Sequence, residues 1–344
     1  MRRLGLVAVL TVAAIVVPAA PASAHTVSGA GATNFKTTLT AVTPPVAGLK
    51  VSVVENGSRL ELTNASATDV VVLGYEGEPY LRVGPAGVFA NLKSPALYLN
   101  TTRQGGTPNP DADPTAPAVW KRILGGTTVR WHDHRVHWMG GRPPPEVRRA
   151  PGVGHVVYPA WTVELRQGTT PITVTGTLTW VPGPSPWPWV GLAVALALAV
   201  IVAALSKRWA LSLAAAVVVL VATDVLHAVG IGLAFAGSEA HRLQLILAAS
   251  YYSLVAWVVG GVAVYLLARR NVDGLFAATF TAVVIGLFGG VADLTVLYRS
   301  EVPSAMPTDV ARGVVACALG LGAGLTVGAV LAARRNREPV QLAA

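Results

Sequence analysis

Three of the seven histidines in this chain fall within one short stretch, Trp131-His132-Asp133-His134-Arg135-Val136-His137-Trp138-Met139. Imidazole suits copper, zinc, iron and nickel, and a thioether such as that of Met139 favours Cu(I). Read as a strand, the stretch puts His132 and His134 on one face, their roots about 6–7 Å apart. That spacing lets two rings share one ion. Asp133 and His137 then fall on the opposite face, and a bend at Arg135 brings His137 round. His25 is a second signal, because it follows the A-x-A cleavage pattern Ala22-Ser23-Ala24. A mature chain beginning at His25 offers an α-amine and a ring nitrogen together. One more histidine completes a T of nitrogens, and tetragonal nitrogen geometry favours Cu(II). The expected ion is copper, with His25, His132 and His134 as ligands and Asp133, His137 and Met139 as auxiliary groups. The same cluster also reads as a hydrogen-bonded knot on a sheet, with Asp133 paired to Arg135 or Arg130. His155, between Gly154 and Val156, reads as a surface residue.

A second set of chemical groups lies in apolar sequence. Asp224 and His227 are three apart and share a helix face; Asp293 sits in a later apolar run. At 1.5 Å per residue they lie about 21 Å and about 27 Å from the inner ends of their spans. Ionisable groups inside a bilayer are costly and face the bundle interior. These residues read either as a deeper cation or proton site or as an interhelical hydrogen-bond cluster. Gly74 to Arg82 is rich in aromatic and acidic residues. It reads as a turn whose carboxylates pair with Arg82, or as a contact for a ligand or envelope polymer. No serine-hydrolase elbow, zinc-protease helix or phosphate loop is present, so no enzyme is expected. The single cysteine, Cys317, excludes an intrachain disulfide.

The elements that must position these groups follow from composition. The chain has 344 residues, 53% of them hydrophobic and 12% charged, against about 25% charged in soluble domains. Length points to about two domains, and the charge deficit puts one of them in lipid. Met1-Arg2-Arg3, an apolar run to Val17 and the A-x-A site make residues 1–24 a secretory signal peptide. From 25 to 186 the texture is β. Short branched or apolar runs at 35–42, 51–54, 59–62, 69–73, 127–134, 161–165 and 172–181 read as strands, with a hairpin turn at Asn56-Gly57. An exported all-β, Ig-like sandwich is expected. The Pro/Trp stretch 180–189 is a stiff linker with an interfacial aromatic belt. Apolar segments near 188–206, 208–233, 243–268, 274–298 and 310–333 make a bundle of five transmembrane helices over 187–334, with a cytoplasmic tail at 335–344.

Charge orients this bundle. With the β domain outside, Lys207, Arg208, Arg269, Arg270, Arg334, Arg335 and Arg337 fall inside, and Arg242, Arg299 and Arg312 outside. That bias obeys the positive-inside rule. It also accounts for the net charge of +9 without nucleic acid, for which no basic, aromatic-interleaved patch exists. Gly286/Gly290 and Gly320/Gly324/Gly328 recur at four-residue spacing, which lets helices approach closely in lipid.

The leader ending at His25, the β texture, the Pro44-Pro45-Val46-Ala47-Gly48-Leu49 stretch, the further histidines and the polar residues in the spans together resemble the CopC-type periplasmic copper-binding proteins and their fusions to CopD-type membrane proteins. The resemblance covers about the first third of the chain. It implies Cu(II) bound by His25 with Asp133 and His134, although Asp133 and His134 are adjacent here where the family has an Asp-x-His order. The chain is therefore expected to be a cell-membrane, multi-pass protein with an extracellular N-terminal domain that captures or hands over copper. The other reading is an envelope scaffold that contacts membrane lipid and an envelope protein partner and holds no metal.

Overall fold

In a computed structural model, residues 31–234 and 239–336 are described. The leader at 1–24, His25 and the tail from 337 lie outside the described residues. Ten strands build the N-terminal part: β1 (Phe35–Thr43), β2 (Leu49–Val54), β3 (Arg59–Asn64), β4 (Val70–Leu73), β5 (Pro79–Gly84), β6 (Gly87–Asn91), β7 (Trp120–Leu124), β8 (Thr128–Trp131), β9 (His155–Gln167) and β10 (Thr170–Trp180). They form two antiparallel sheets, ordered β1-β10-β9-β4-β5-β6-β7 and β2-β3-β8. Period-two alternation sets the inner faces. Leu60 and Leu62 of β3 and Val129 and Trp131 of β8 are buried against Val72, Val83, Val163, Leu165, Ile172 and Val174 of the larger sheet. Each such side chain contributes about 1.5–3 kcal/mol by leaving water. Two short helices, α1 (Pro95–Leu99) and α2 (Pro145–Arg149), start at prolines, which fit the first helical turn.

The β-sandwich expectation holds, with particular corrections. The hairpin at Asn56-Gly57 forms, and Glu55, Asn56 and Gly57 all take positive φ, which Asn and Gly tolerate best. Strands β5, β6 and β7 arise in sequence without a clear alternating pattern. The strand expected at 127–134 ends at Trp131, so His132 and His134 do not share a strand face. The acidic residues near Arg82 do turn the chain, but they do not pair with it. Arg82 faces Asp69 at 3.6 Å, while Glu78 accepts from Ser94 Oγ at 2.6 Å and from the Glu76 amide at 3.0 Å.

The C-terminal part is helical: α3 (Trp187–Ala204), α4 (Trp209–Ala234), α5 (Glu239–Ala249), α6 (Tyr251–Ala268), α7 (Asp273–Ile285) and α8 (Thr308–Arg335). Among the described residues, five segments are long and apolar enough to cross a membrane: α3, α4, α6, α7 with its continuation to Val291, and α8. This is a multi-pass membrane protein. The third segment is shorter than expected, because α5 and α6 part at buried Ser250. Beyond α7 the helix widens into a π turn (Gly286–Val291) and tightens into a 3-10 turn (Leu294–Leu297). Single π turns inside helices frequently mark functional sites.

Small residues set the packing, as their spacing predicts. A Cβ on Gly320 or Gly324 would meet the α3 backbone at Ala193 or Ala197 within 3 Å, and Gly286 stands directly against Gly322. Helix α8 packs against α3, α4 and α7.

The two parts are joined by more than the linker. Thr33 and Glu301 exchange backbone hydrogen bonds of 2.9 and 2.8 Å. Ser300 donates its amide to Asn34 Oδ1 at 2.9 Å and its hydroxyl to the Val181 carbonyl at 3.0 Å, and Asn56 Nδ2 donates to the Glu301 carbonyl at 3.2 Å. On the bundle side, buried Arg312 donates to the carbonyls of Val296 (3.3 Å) and Arg299 (3.0 Å) and to Asp309 Oδ1 (2.9 Å). Residues 296–301 are thus held from both sides.

Candidate functional site

Where β8 ends, residues 132–139 form a loop whose polar groups are largely committed. His132 Nδ1 lies 2.9 Å from the Ser58 carbonyl, and Arg59 Nε donates to His132 Nε2 at 3.2 Å. This network assigns the Nδ1-protonated tautomer and occupies both ring nitrogens. Burial first, and nearby cations after it, hold His132 at about 4. Asp133 is fully buried. Its Oδ1 accepts Arg135 Nε at 2.8 Å, and its Oδ2 accepts Arg135 Nη2 at 2.7 Å and Trp131 Nε1 at 3.0 Å. Arg135 also donates to the carbonyls of Leu73 (3.2 Å) and Gly74 (3.3 Å) and lies over the Tyr75 ring. The fork-to-fork ion pair orients the guanidinium, and its bonds to the Leu73 and Gly74 carbonyls tie this loop to the end of β4. Tyr75 hydrogen-bonds to Asn100 and accepts from the His134 amide; burial lifts its hydroxyl to about 12.

The turn expected near Arg135 does form, with the Val136 amide bonded to the Asp133 carbonyl at 3.1 Å. It brings His134 and His137 together, ring centroids 5.6 Å apart. His134 Nε2 lies 3.1 Å from the Thr102 carbonyl. Buried His137 has no hydrogen-bond partner at Nε2 among the described residues, and burial followed by the charge of Arg103 holds it at about 4. Met139 is 41% exposed at the loop end. Among the described residues no three His, Cys, Asp or Glu side chains converge on one point. Of the expected ligands, the fold brings His134 and His137 together, while the ring nitrogens of His132 and the carboxylate of Asp133 are taken up by protein partners.

A cleft of about 750 Å³ opens beside this loop, at the junction of the two parts. Its walls include Phe35, Trp138 and Trp180, which pack on one another, and the residues 31–33 that dock on Glu301. Arg59, Arg103, Arg142 and Arg299 also line it, and no lining residue is acidic. Each arginine comes from a different place in the chain: the start of β3, the segment after α1, the loop before α2, and the connection after the fourth span. Arg59 is offset by Glu55 at 3.3 Å. Arg103 and Arg299 form no ion pair among the described residues, and the Nε of each is buried without a hydrogen-bond partner. Burial holds the Arg103 guanidinium below its ordinary value. Sequence reading missed this site because only the fold assembles it.

The intramembrane residues come together as their positions predict. His227 Nε2 and Asp293 Oδ2 are 2.7 Å apart, and Trp257 Nε1 donates to Asp224 Oδ2 at 2.7 Å. Gly289 in the π turn passes so close that a Cβ there would lie 2.5 Å from Asp224 Oδ1. Tyr251 and Tyr252 are exposed, Tyr252 stacking on Phe288, while Ser253 is buried. The cluster is also continuous in sequence with the junction, since the 3-10 turn after Asp293 leads directly to Arg299.

No family model, curated protein or solved structure matches the chain.

Proposed function

We propose that this chain is a membrane-anchored binding protein of the cell envelope, with its β domain on the extracytoplasmic face and its ligand site in the cleft between that domain and the bundle. The carrying observation is that one cleft is lined by both parts, with Arg299 contributed from the connection that follows the fourth span. The clamp on residues 296–301 supports a unit in which the bundle does more than tether. Charge bias supports the orientation: Lys207, Arg208, Arg269, Arg270, Arg334 and Arg335 lie at the end of the bundle away from the β domain.

The test uses a cleft cysteine, Gln104→Cys in a Cys317→Ser chain. A membrane-impermeant maleimide should label it on intact cells, and more slowly in native membranes than in purified protein because the cleft is occupied. Labelling only after lysis contradicts the orientation. Equal rates in the two preparations contradict the ligand site.

A second reading, copper capture, is favoured by one observation: the paired rings of His134 and His137, the latter with a buried ring nitrogen that has no partner. In this reading copper is cargo, and His25 and Met139 would complete its ligands. Cu(II) titration read by EPR should then show one equivalent bound, lost in His134→Ala/His137→Ala. An unchanged spectrum in that variant overturns it.

A further inference from the structure

We propose that the junction cleft binds a phosphate-type oxyanion, free or carried on a lipid headgroup, through Arg103 and Arg299. The proposal rests on the cleft being a ligand site and names the chemistry that the site takes.

Like charges gathered in one concavity repel unless something compensates them, and a walled cleft concentrates their field on a counter-ion. Arg59 has its compensation in Glu55, and Arg312, just behind the cleft, has Asp309. Arg103 and Arg299 have no carboxylate partner among the described residues, Arg299 having only the Tyr298 ring 5.3 Å away, and each keeps a buried Nε–H with no acceptor. A buried donor left unmade costs about 1–3 kcal/mol, and more when charged. Two such donors beside one cleft are poorly explained by stability alone. An oxyanion in the cleft would compensate both charges, because guanidinium forks match phosphate oxygens in bidentate geometry. A phosphate group also sets its oxygens on a tetrahedron, so two forks can approach it from different sides more readily than they can a planar carboxylate.

The neighbours are consistent with this. His132 is bonded to Arg59 Nε and holds that guanidinium at the cleft edge. The aromatic wall of Phe35, Trp138 and Trp180 gives an apolar body somewhere to lie. Arg299 lies in the connection between the fourth and fifth spans, after the 3-10 turn Leu294–Leu297. A metal cation is disfavoured in the same space, since every charged lining group is an arginine.

The experiment uses the full chain carrying Cys317→Ser and Gln104→Cys, labelled with an environment-sensitive fluorophore. Inorganic phosphate and pyrophosphate are titrated onto detergent-purified protein. In parallel, the protein is placed in nanodiscs of phosphatidylcholine with or without phosphatidylglycerol. A saturable response to the soluble anions identifies a free oxyanion. A response confined to phosphatidylglycerol discs identifies a lipid headgroup. In either case Arg103→Gln and Arg299→Gln should each weaken binding by about tenfold or more, and Arg103→Lys, which keeps the charge but not the fork, should recover only part of it. Should an Arg→Gln variant fail to fold, exposed Arg142→Gln is the substitute, with weakening of several-fold expected. Silence in both arms, or affinity unchanged in the arginine variants, overturns the proposal. If the cleft cysteine is still protected in native membranes, silence here removes only the oxyanion chemistry. If it is not, the ligand site itself falls.

Discussion

The β domain holds two kinds of half-buried arginine, and they stand a short distance apart. Arg135 makes two bonds to the fully buried carboxylate of Asp133 and two more to backbone carbonyls. Arg103 makes no ion pair among the described residues and keeps a buried Nε–H without an acceptor. Both are paid for in desolvation, but only the first is answered by partners of its own chain. A satisfied charge fixes a loop, and an unsatisfied one beside a cleft awaits a ligand. The membrane cluster resembles Arg135 in this respect, since His227 is paired with Asp293 and Asp224 with Trp257.

This contrast orders the expected effects. The largest belongs to Asp133→Asn, which leaves Arg135 buried without its counter-charge. Breaking a buried pair costs about 3–5 kcal/mol, a large part of a domain's total. Urea unfolding of the full chain in detergent, followed by tryptophan fluorescence, should show that loss. Asp133→Asn combined with Arg135→Met should recover much of it, and failure to do so would mean the pair is not the knot. The next effect is acid lability. His132 and His137 are held at about 4 in the folded chain against 6.5 when unfolded, so below 6.5 the unfolded state binds more protons. Stability should be full above about pH 6.5 and fall as pH drops towards 4, by on the order of 2 kcal/mol per histidine. Replacing His137 with Phe should flatten the slope, and a profile level from pH 7.5 to 4.5 would contradict the burial of both rings. A smaller change, about 1 kcal/mol, is expected for Asp293→Asn, because hydrogen bonds between membrane helices are individually modest. Thermal unfolding in nanodiscs would measure it. The smallest is Arg103→Gln, whose stability without ligand should stay within about 0.5 kcal/mol of the parent or rise.

Local pattern made much of this architecture legible. The alternation through Leu60-Glu61-Leu62 and Ile172 to Leu178, the Asn56-Gly57 turn and the long apolar runs gave the sandwich and the spans. The spacing of Asp224 and His227, with Asp293 also in the outer part of its span, pointed to an intramembrane cluster. What local pattern could not carry was the end of β8. Trp131 to His134 alternates well enough to read as strand, but the Asp133–Arg135 pair and the turn at Val136 bend the chain there. A strand there would put both imidazoles on one face, whereas the fold seats His132 on Ser58 and His134 beside His137. Likewise Ser250 divides an apolar stretch that hydropathy reads as continuous. The cleft arginines stand at 59, 103, 142 and 299, separated by a whole domain's worth of sequence, and no spacing rule links them.

The most direct test compares melting temperatures of the parent and Arg103→Gln chains in phosphate and in chloride at matched ionic strength. A ligand that binds only the folded state stabilises it by mass action. The account predicts a phosphate-dependent rise for the parent that is absent from Arg103→Gln. Equal rises in the two chains, or none in the parent together with none on adding phosphatidylglycerol, would contradict it.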